Sequence, residues 1–250
     1  MLHDTFLFFN ELDLLEMRLT ELDSVVDRFV ICESTRTFQG AEKPLYFQRN
    51  RHMFDRWQDK IIHVVYDSPD RDCSSWEREK AQRDEILKGL RKGHPNDLIL
   101  ISDVDEIPHP DDLAAASPPA RFVGPMCYYF LNCQAVNYQL PGPKLYRACL
   151  MKRPSSARYG KNPTKGRQWH FSYLGGVEAI QTKLLAFSHT EYATDEWTDP
   201  VRIERAIAEH KDLFDRRFKY KIVPIDETFP KCVQHNPERW KKYICPVSSG

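Results

Sequence analysis

The chain has 250 residues, with 36 Lys and Arg against 36 Asp and Glu, so its total charge makes no argument for nucleic acid or a strongly charged partner. Hydrophobic residues make up 41% and charged residues 29%, the balance of a soluble globular protein with room for one large α/β domain or two small ones. No apolar run reaches membrane-spanning length, the opening MLHDTFLFF lacks the basic stretch and long apolar core of a signal peptide, and the seven cysteines form no C-x-x-C pair. We therefore expect a cytoplasmic protein with reduced thiols, not a disulfide scaffold or a zinc site.

The first predicted strand is TFLFF. Asn10 then caps a helix with Leu12, Leu15, Leu19 and Leu22 on one face. RFVICES, with Glu33 near its end, is a second strand and KIIHVVYD a third. Ser74 and Glu77 have capping-box spacing and open the helix WEREKAQRDEILKGL. LILI at 98–101 is a buried fourth strand. Four strands joined by helices or crossover segments predict a parallel sheet. Beyond residue 113 the rhythm changes: PMCYYFLNCQAVNY reads as a strand pair or one long strand, the Pro- and Gly-rich stretch after it as loop, and VRIERAIAEHKDLFDRR as a mixed-charge helix.

The fourth strand runs into Asp103, Asp105 and Glu106. Ligands bind at the carboxyl ends of strands in open α/β sheets, and alternation along an extended chain puts Asp103 and Asp105 on one side. Two such carboxylates suit Mg²⁺ or Mn²⁺, with substrate phosphates and water completing the shell. The same residues also describe a solvated acidic turn entering a helix, with Pro108 in its first turn. From Leu113 to Val177 there is no acid but nine basic residues, Arg121, Lys144, Arg147, Lys152, Arg153, Arg158, Lys161, Lys165 and Arg167. An acidic motif followed by a basic segment suits a metal-bridged polyphosphate, or is simply a basic surface.

The segments FFNELDLLEMRLTEL, VDRFVICESTRTFQG, WEREKAQRD, LILISDVDEIP and WHFSYLGG, in this order, resemble glycosyltransferase family 17, the family of β-1,4-mannosyl-glycoprotein 4-β-N-acetylglucosaminyltransferase. The resemblance spans residues 4 to about 192. It implies a GT-A-like single domain: a mostly parallel central sheet flanked by helices, a nucleotide-sugar half at 1–112 and a loop-rich acceptor-side half at 113–250. It also implies an inverting transfer from a UDP-sugar, UDP-GlcNAc in the first instance, to a glycan or glycoconjugate acceptor. Asn10, Glu33, Arg78, Arg83 and Asp103 are the implied donor-binding residues, and Asp103 and Asp105 the implied ligands of Mn²⁺ or Mg²⁺. A third ligand is expected from His189, with His170 as the alternative.

An inverting transfer needs a carboxylate to take the acceptor's proton. Glu178, the first acid after Asp112 and two residues past Gly175-Gly176, is the candidate, and Glu191 the next. The glycine pair either admits a substrate or forms a turn. Trp169, Phe171 and Tyr173 either stack on sugar faces or line the buried face of a strand. Two other readings stay open, a Mg²⁺-dependent haloacid-dehalogenase-like phosphatase and a non-catalytic glycan-binding protein on a transferase fold.

Overall fold

The computed structural model describes residues 1–70 and 72–247. Its strands are β1 (Leu2–Phe8), β2 (Arg28–Ser34), β3 (Ile61–Tyr66), β4 (Leu98–Asp103), β5 (Glu106–Pro108), β6 (Ala120–Tyr128), β7 (Cys133–Arg147), β8 (Thr164–Ser172) and β9 (Tyr220–Ile222). The helices are α1 (Leu12–Leu22), α2 (Tyr46–Arg49), α3 (Ser75–Leu90), α4 (Pro110–Ala115), α5 (Pro154–Arg158), α6 (Gly176–Leu184), α7 (Asp195–Thr198), α8 (Pro200–Ala208), α9 (Lys231–His235) and α10 (Pro237–Trp240).

One sheet runs in the order β3-β2-β1-β4-β7-β6-β8-β5, with β9 on β7. The first four strands are mutually parallel, as their apolar runs predict. β7 then turns antiparallel against both β4 and β6, while β6 and β8 are again parallel. The α/β expectation thus holds, in a sheet that is wholly parallel in one half and mixed in the other. The capping box at Ser74 and Glu77 forms as expected. Helix α1 instead starts at Glu11 without a side-chain cap, because the Glu11 carboxylate folds back to accept the N–H groups of Phe9 and Asn10.

The second half is richer in strand than its prolines suggest. β7 runs 15 residues straight through Pro141-Gly142-Pro143. The β6–β7 register shifts beside Val123, which pairs with Pro141, and again after Pro125, and a missing N–H is tolerated at such bulges. A Cβ on Gly124 of β6 would collide with the backbone carbonyl of Gln168, so the close approach of β8 to β6 calls for glycine there. The helix expected over 201–217 ends at Ala208. Past it His210 has a positive φ, and the Asp212 carboxylate accepts the backbone N–H groups of Phe214 and Arg216, a local turn that competes with helix.

The main core lies between α1 and the sheet, built on Phe6, Leu15, Leu19, Leu22, Phe29 and Ile31. A second cluster, with Tyr128, Tyr173, Ile180 and Ile203, fills the space under α6 and α8. Arg18 of α1 lies within the first core at 0% exposure. Its guanidinium donates to both Asp4 carboxylate oxygens (2.7 and 2.6 Å), to Ser102 Oγ (2.6 Å), and to the carbonyls of Asp103, Val104 and Glu106 (3.0, 3.3 and 2.7 Å). The residues after 230 pack on the same helix: Val233 and Trp240 enter the core, and Asp13 receives Arg239 and Tyr243, each at 2.5 Å, and Lys242 at 2.8 Å.

Arg18→Met leaves the buried Asp4 carboxyl and three carbonyls of the turn without their guanidinium donor, and is expected to lower stability by about 3–5 kcal/mol in denaturant titration. A loss below about 1 kcal/mol would mean that these bonds are readily replaced. Burial alone would raise Asp13, but Lys242, Tyr243 and Arg239 hold its pKa at about 2. That value lies below the unfolded one, so this contribution is complete above about pH 4 and is lost as pH falls through about 2. Trp240 emission in the wild type should shift over that window. In Asp13→Asn it should already be shifted at neutral pH, with no step between pH 4 and 2.

Candidate active site

The strand β4 ends at Asp103, and residues 104–105 turn the chain into β5. The two aspartates therefore reach the same side through a turn, not through the extended alternation expected. Arg18 holds the backbone of this turn from behind, and Glu106 Oε2 closes it by accepting the Asp103 N–H at 3.1 Å. The acidic-turn alternative, with Pro108 in the first turn of a helix, does not form: Glu106–Pro108 is a strand and the next helix begins at Pro110.

Every acid here faces a cation. Asp103, with its side chain 40% exposed, accepts Arg83 at 2.7 Å on Oδ1 and Arg158 at 3.2 Å on Oδ2. Asp105 Oδ2 accepts Lys183 at 2.9 Å and lies 3.7 Å from His170 Nε2. Arg158 also donates to Glu106 Oε1 at 2.7 Å. Burial would raise all three carboxyls. For Asp103 the charges of Arg83 and Arg158 overcome it, and for Asp105 those of Lys183 and His170 do, so both stay well below the ordinary carboxylate range. For Glu106 burial prevails over Arg158 and the pKa is raised. Burial would likewise lower Lys183 and His170, but Asp105 outweighs it and raises both.

A cavity of about 360 Å³ opens over these groups at the carboxyl ends of β1 and β4. Glu11, Arg83, Asp103, Asp105, Arg158 and Lys183 line it. Trp76, Tyr159, Phe187 and His189 bring aromatic rings to it, with Trp76 37% and Tyr159 57% exposed. The His189 ring stands edge-on to Trp76, 4.8 Å between centroids.

Of the residues singled out in the sequence, Asp103, Asp105, Arg83 and His189 line this cavity, whereas Asn10, Glu33, Arg78 and Glu178 are not among its lining residues. Arg83 is fully buried and bridges Asp103 and Glu79 at the cavity wall. Glu33 has no exposed surface: it accepts the N–H groups of Phe47 and Gln48 at the start of α2 and lies 3.2 Å from His63 Nε2. Arg78 donates to the Cys73 carbonyl and packs at Gly40. Asn10 meets the Glu11 carboxylate through its backbone N–H. Glu178 is exposed on the first turn of α6, and Gly175-Gly176, both at positive φ, form the turn that starts that helix. Glu191 is exposed, 2.8 Å from His189 Nδ1, and that hydrogen bond lowers its pKa. Trp169 and Phe171 are buried on β8 in the main core, so the strand-face reading holds for these two, whereas Tyr173 lies one residue past the strand at positive φ and is buried in the second cluster.

Glu11, Arg158, Lys183 and Trp76 carry no local sequence pattern that assigns them to a site. Arg158 is the only one of the nine basic residues of the acid-free segment that lines the cavity among the described residues, and Lys144 supports it by donating to its carbonyl. Lys183 sits one position before Leu184 on the helix whose Ile180 and Leu184 enter the core. Asp103 and Asp105 are the two carboxylates of the cavity wall that could hold a hard divalent ion together with oxygens of a bound molecule. No group of three or more His, Cys, Asp or Glu side chains arranged to hold a metal occurs among the described residues. The pair fits an ion completed by substrate oxygens and water, and among the described residues no closed protein cage including His189 or His170 is formed.

The β-1,4-mannosyl-glycoprotein 4-β-N-acetylglucosaminyltransferases of Homo sapiens and Rattus norvegicus are each 34% identical to this chain over 110 residues. The alignments cover 41% of this chain and 21% and 20% of those proteins, so the match spans about a fifth of the relatives' length. A mannosyltransferase from Pyrobaculum calidifontis, solved in complex with GDP-Man and Mn²⁺, aligns with 82% of this chain and 69% of that one, at 10% identity and a TM-score of 0.38. An overlay this loose decides nothing about the present chain. The description of glycosyltransferase family 17 matches residues 1–234, nearly the whole sequence, and the chain belongs to that family.

Proposed function

We propose that this protein is an inverting, divalent-metal-dependent glycosyltransferase that moves N-acetylglucosamine from UDP-GlcNAc to a glycan acceptor. The observation that carries the reading is the cavity at the carboxyl ends of β1 and β4, where Asp103 and Asp105 stand among Arg83, Arg158 and Lys183. Interleaved acids and cations suit a nucleoside diphosphate bridged by a metal. The choice of GlcNAc follows the activity named for the relatives that share 34% identity.

A divalent ion held by Asp103 and Asp105 supplies Lewis-acid stabilisation of the leaving diphosphate. Arg83 and Arg158 fix Asp103 in place and add positive charge where the leaving group gathers negative charge. The exposed faces of Trp76 and Tyr159 offer apolar surface for sugar rings at the cavity mouth. Among the carboxylates, Glu11 lines the cavity and burial raises its pKa, which suits a proton acceptor better than the exposed Glu178 or the lowered Glu191.

Asp105→Ala is expected to abolish sugar transfer, assayed with UDP-GlcNAc, Mn²⁺ and a panel of glycan acceptors, while the far-UV spectrum stays native. Full activity in that variant or in excess chelator would overturn the metal site. Phosphate release from generic esters without transfer would favour a phosphatase, and glycan binding without turnover a lectin-like role. Glu11→Gln is expected to keep UDP-GlcNAc binding and lose turnover by about 10²–10⁴. A loss of that size in Glu178→Gln or Glu191→Gln, with Glu11→Gln near normal, would move the base to that residue.

A further inference from the structure

We infer that Lys183 couples the cation to the donor: it occupies Asp105 in the free protein and passes to the donor's diphosphate when the ion arrives, so each ligand binds weakly until the other is present. The inference rests on the donor-plus-cation reading of the cavity.

Three carboxylate oxygens of the pair already face side-chain cations: Asp103 Oδ1 takes Arg83, Asp103 Oδ2 takes Arg158, and Asp105 Oδ2 takes Lys183. An ion approaching alone meets cations at close range and gains little. At least one of them must withdraw for the ion to bind well. Arg83 is anchored, fully buried, by the Ser102 carbonyl and Glu79 as well as by Asp103. Arg158 is anchored by Glu106 at 2.7 Å and by the Gly142 carbonyl at 3.4 Å.

Lys183 is held more loosely. Besides Asp105 it has Ser172 Oγ at 3.4 Å and the Tyr173 ring at 5.4 Å. Its side chain is 25% exposed and lines the cavity. A flexible four-carbon stem carrying a point charge can change partners without breaking a planar, two-pronged fit, as the arginines would have to. Moving its ammonium from Asp105 to a phosphate oxygen exchanges one ion pair for another and frees Oδ2 for the metal. The ion without the diphosphate leaves Lys183 only the weaker attraction of Glu11, and the diphosphate without the ion takes Lys183 away and leaves Asp105 only His170, 3.7 Å off. Each half-occupied state is disfavoured, which is positive coupling and by linkage acts equally on both ligands.

The test is calorimetric and needs no turnover. Mn²⁺ is titrated into the intact protein with and without saturating UDP, and UDP with and without Mn²⁺. In the wild type each ligand is expected to tighten the other by about 10-fold or more. Lys183→Met should bind Mn²⁺ alone about 10-fold more tightly than the wild type and lose the coupling. A melting temperature close to wild type identifies the variant as folded, and Lys183→Gln replaces Lys183→Met if that one is not. Coupling that persists unchanged in Lys183→Met, with UDP and Mn²⁺ still binding the wild type, overturns the role of Lys183 and leaves the donor site standing. A wild type that binds no UDP with or without Mn²⁺ overturns both.

Discussion

A single guanidinium buried between helix and sheet sets the geometry on which the cavity depends. Arg18 joins α1, β1 and the turn after β4 through Asp4, Ser102 and three carbonyls of the acidic turn's backbone. A charge with no exposed surface is tolerated only if its donors are matched, and here the matching groups are the carbonyls that aim Asp103 and Asp105. The carboxylates thus owe their direction to a residue that contributes nothing to the cavity lining. The Phe6 ring, 4.5 Å from the guanidinium, completes the enclosure.

In front of that turn the site is a balance of opposite charges, not an acidic patch. Burial would neutralise Asp103 and Asp105, and the nearby cations keep them ionised and ready to share a ligand. Glu106, which closes the turn, is the one whose burial outweighs its partners. Neighbouring acids in the chain have been given different tasks by their surroundings, two facing the cavity and one closing the backbone behind it.

Much of this is legible in the residues themselves. β2 and α3 with its capping box follow directly from apolar runs and cap spacing, and an acid pair at a strand end is enough to mark where the cavity lies. The partners of those acids are not legible in the same way, because ion pairs across 20, 55 and 78 residues of sequence leave no local pattern. Nine basic residues in the acid-free segment look alike, and only the fold places Arg158 over Glu106. One sign is present in the sequence: Arg18 interrupts the apolar stripe of α1 three residues after Leu15 and four before Leu22, and a charge on a core-facing stripe asks for a buried partner. The aromatics of β8 show the opposite, since their period-2 spacing describes packing and not recognition.

The fifteen-residue strand β7 constrains how the molecule can move. It pairs with β4 near its end, with β6 along its length and with β9 at its start, so one continuous ladder ties the acid-bearing strand to the C-terminal layer. A hinge between the two halves would have to tear this ladder, and shear would have to slip its register. The cavity mouth is built from short segments outside this ladder, the chain around Tyr159 after α5 and the stretch from Phe187 to His189 after α6, so a change of conformation there would leave the sheet pairing intact.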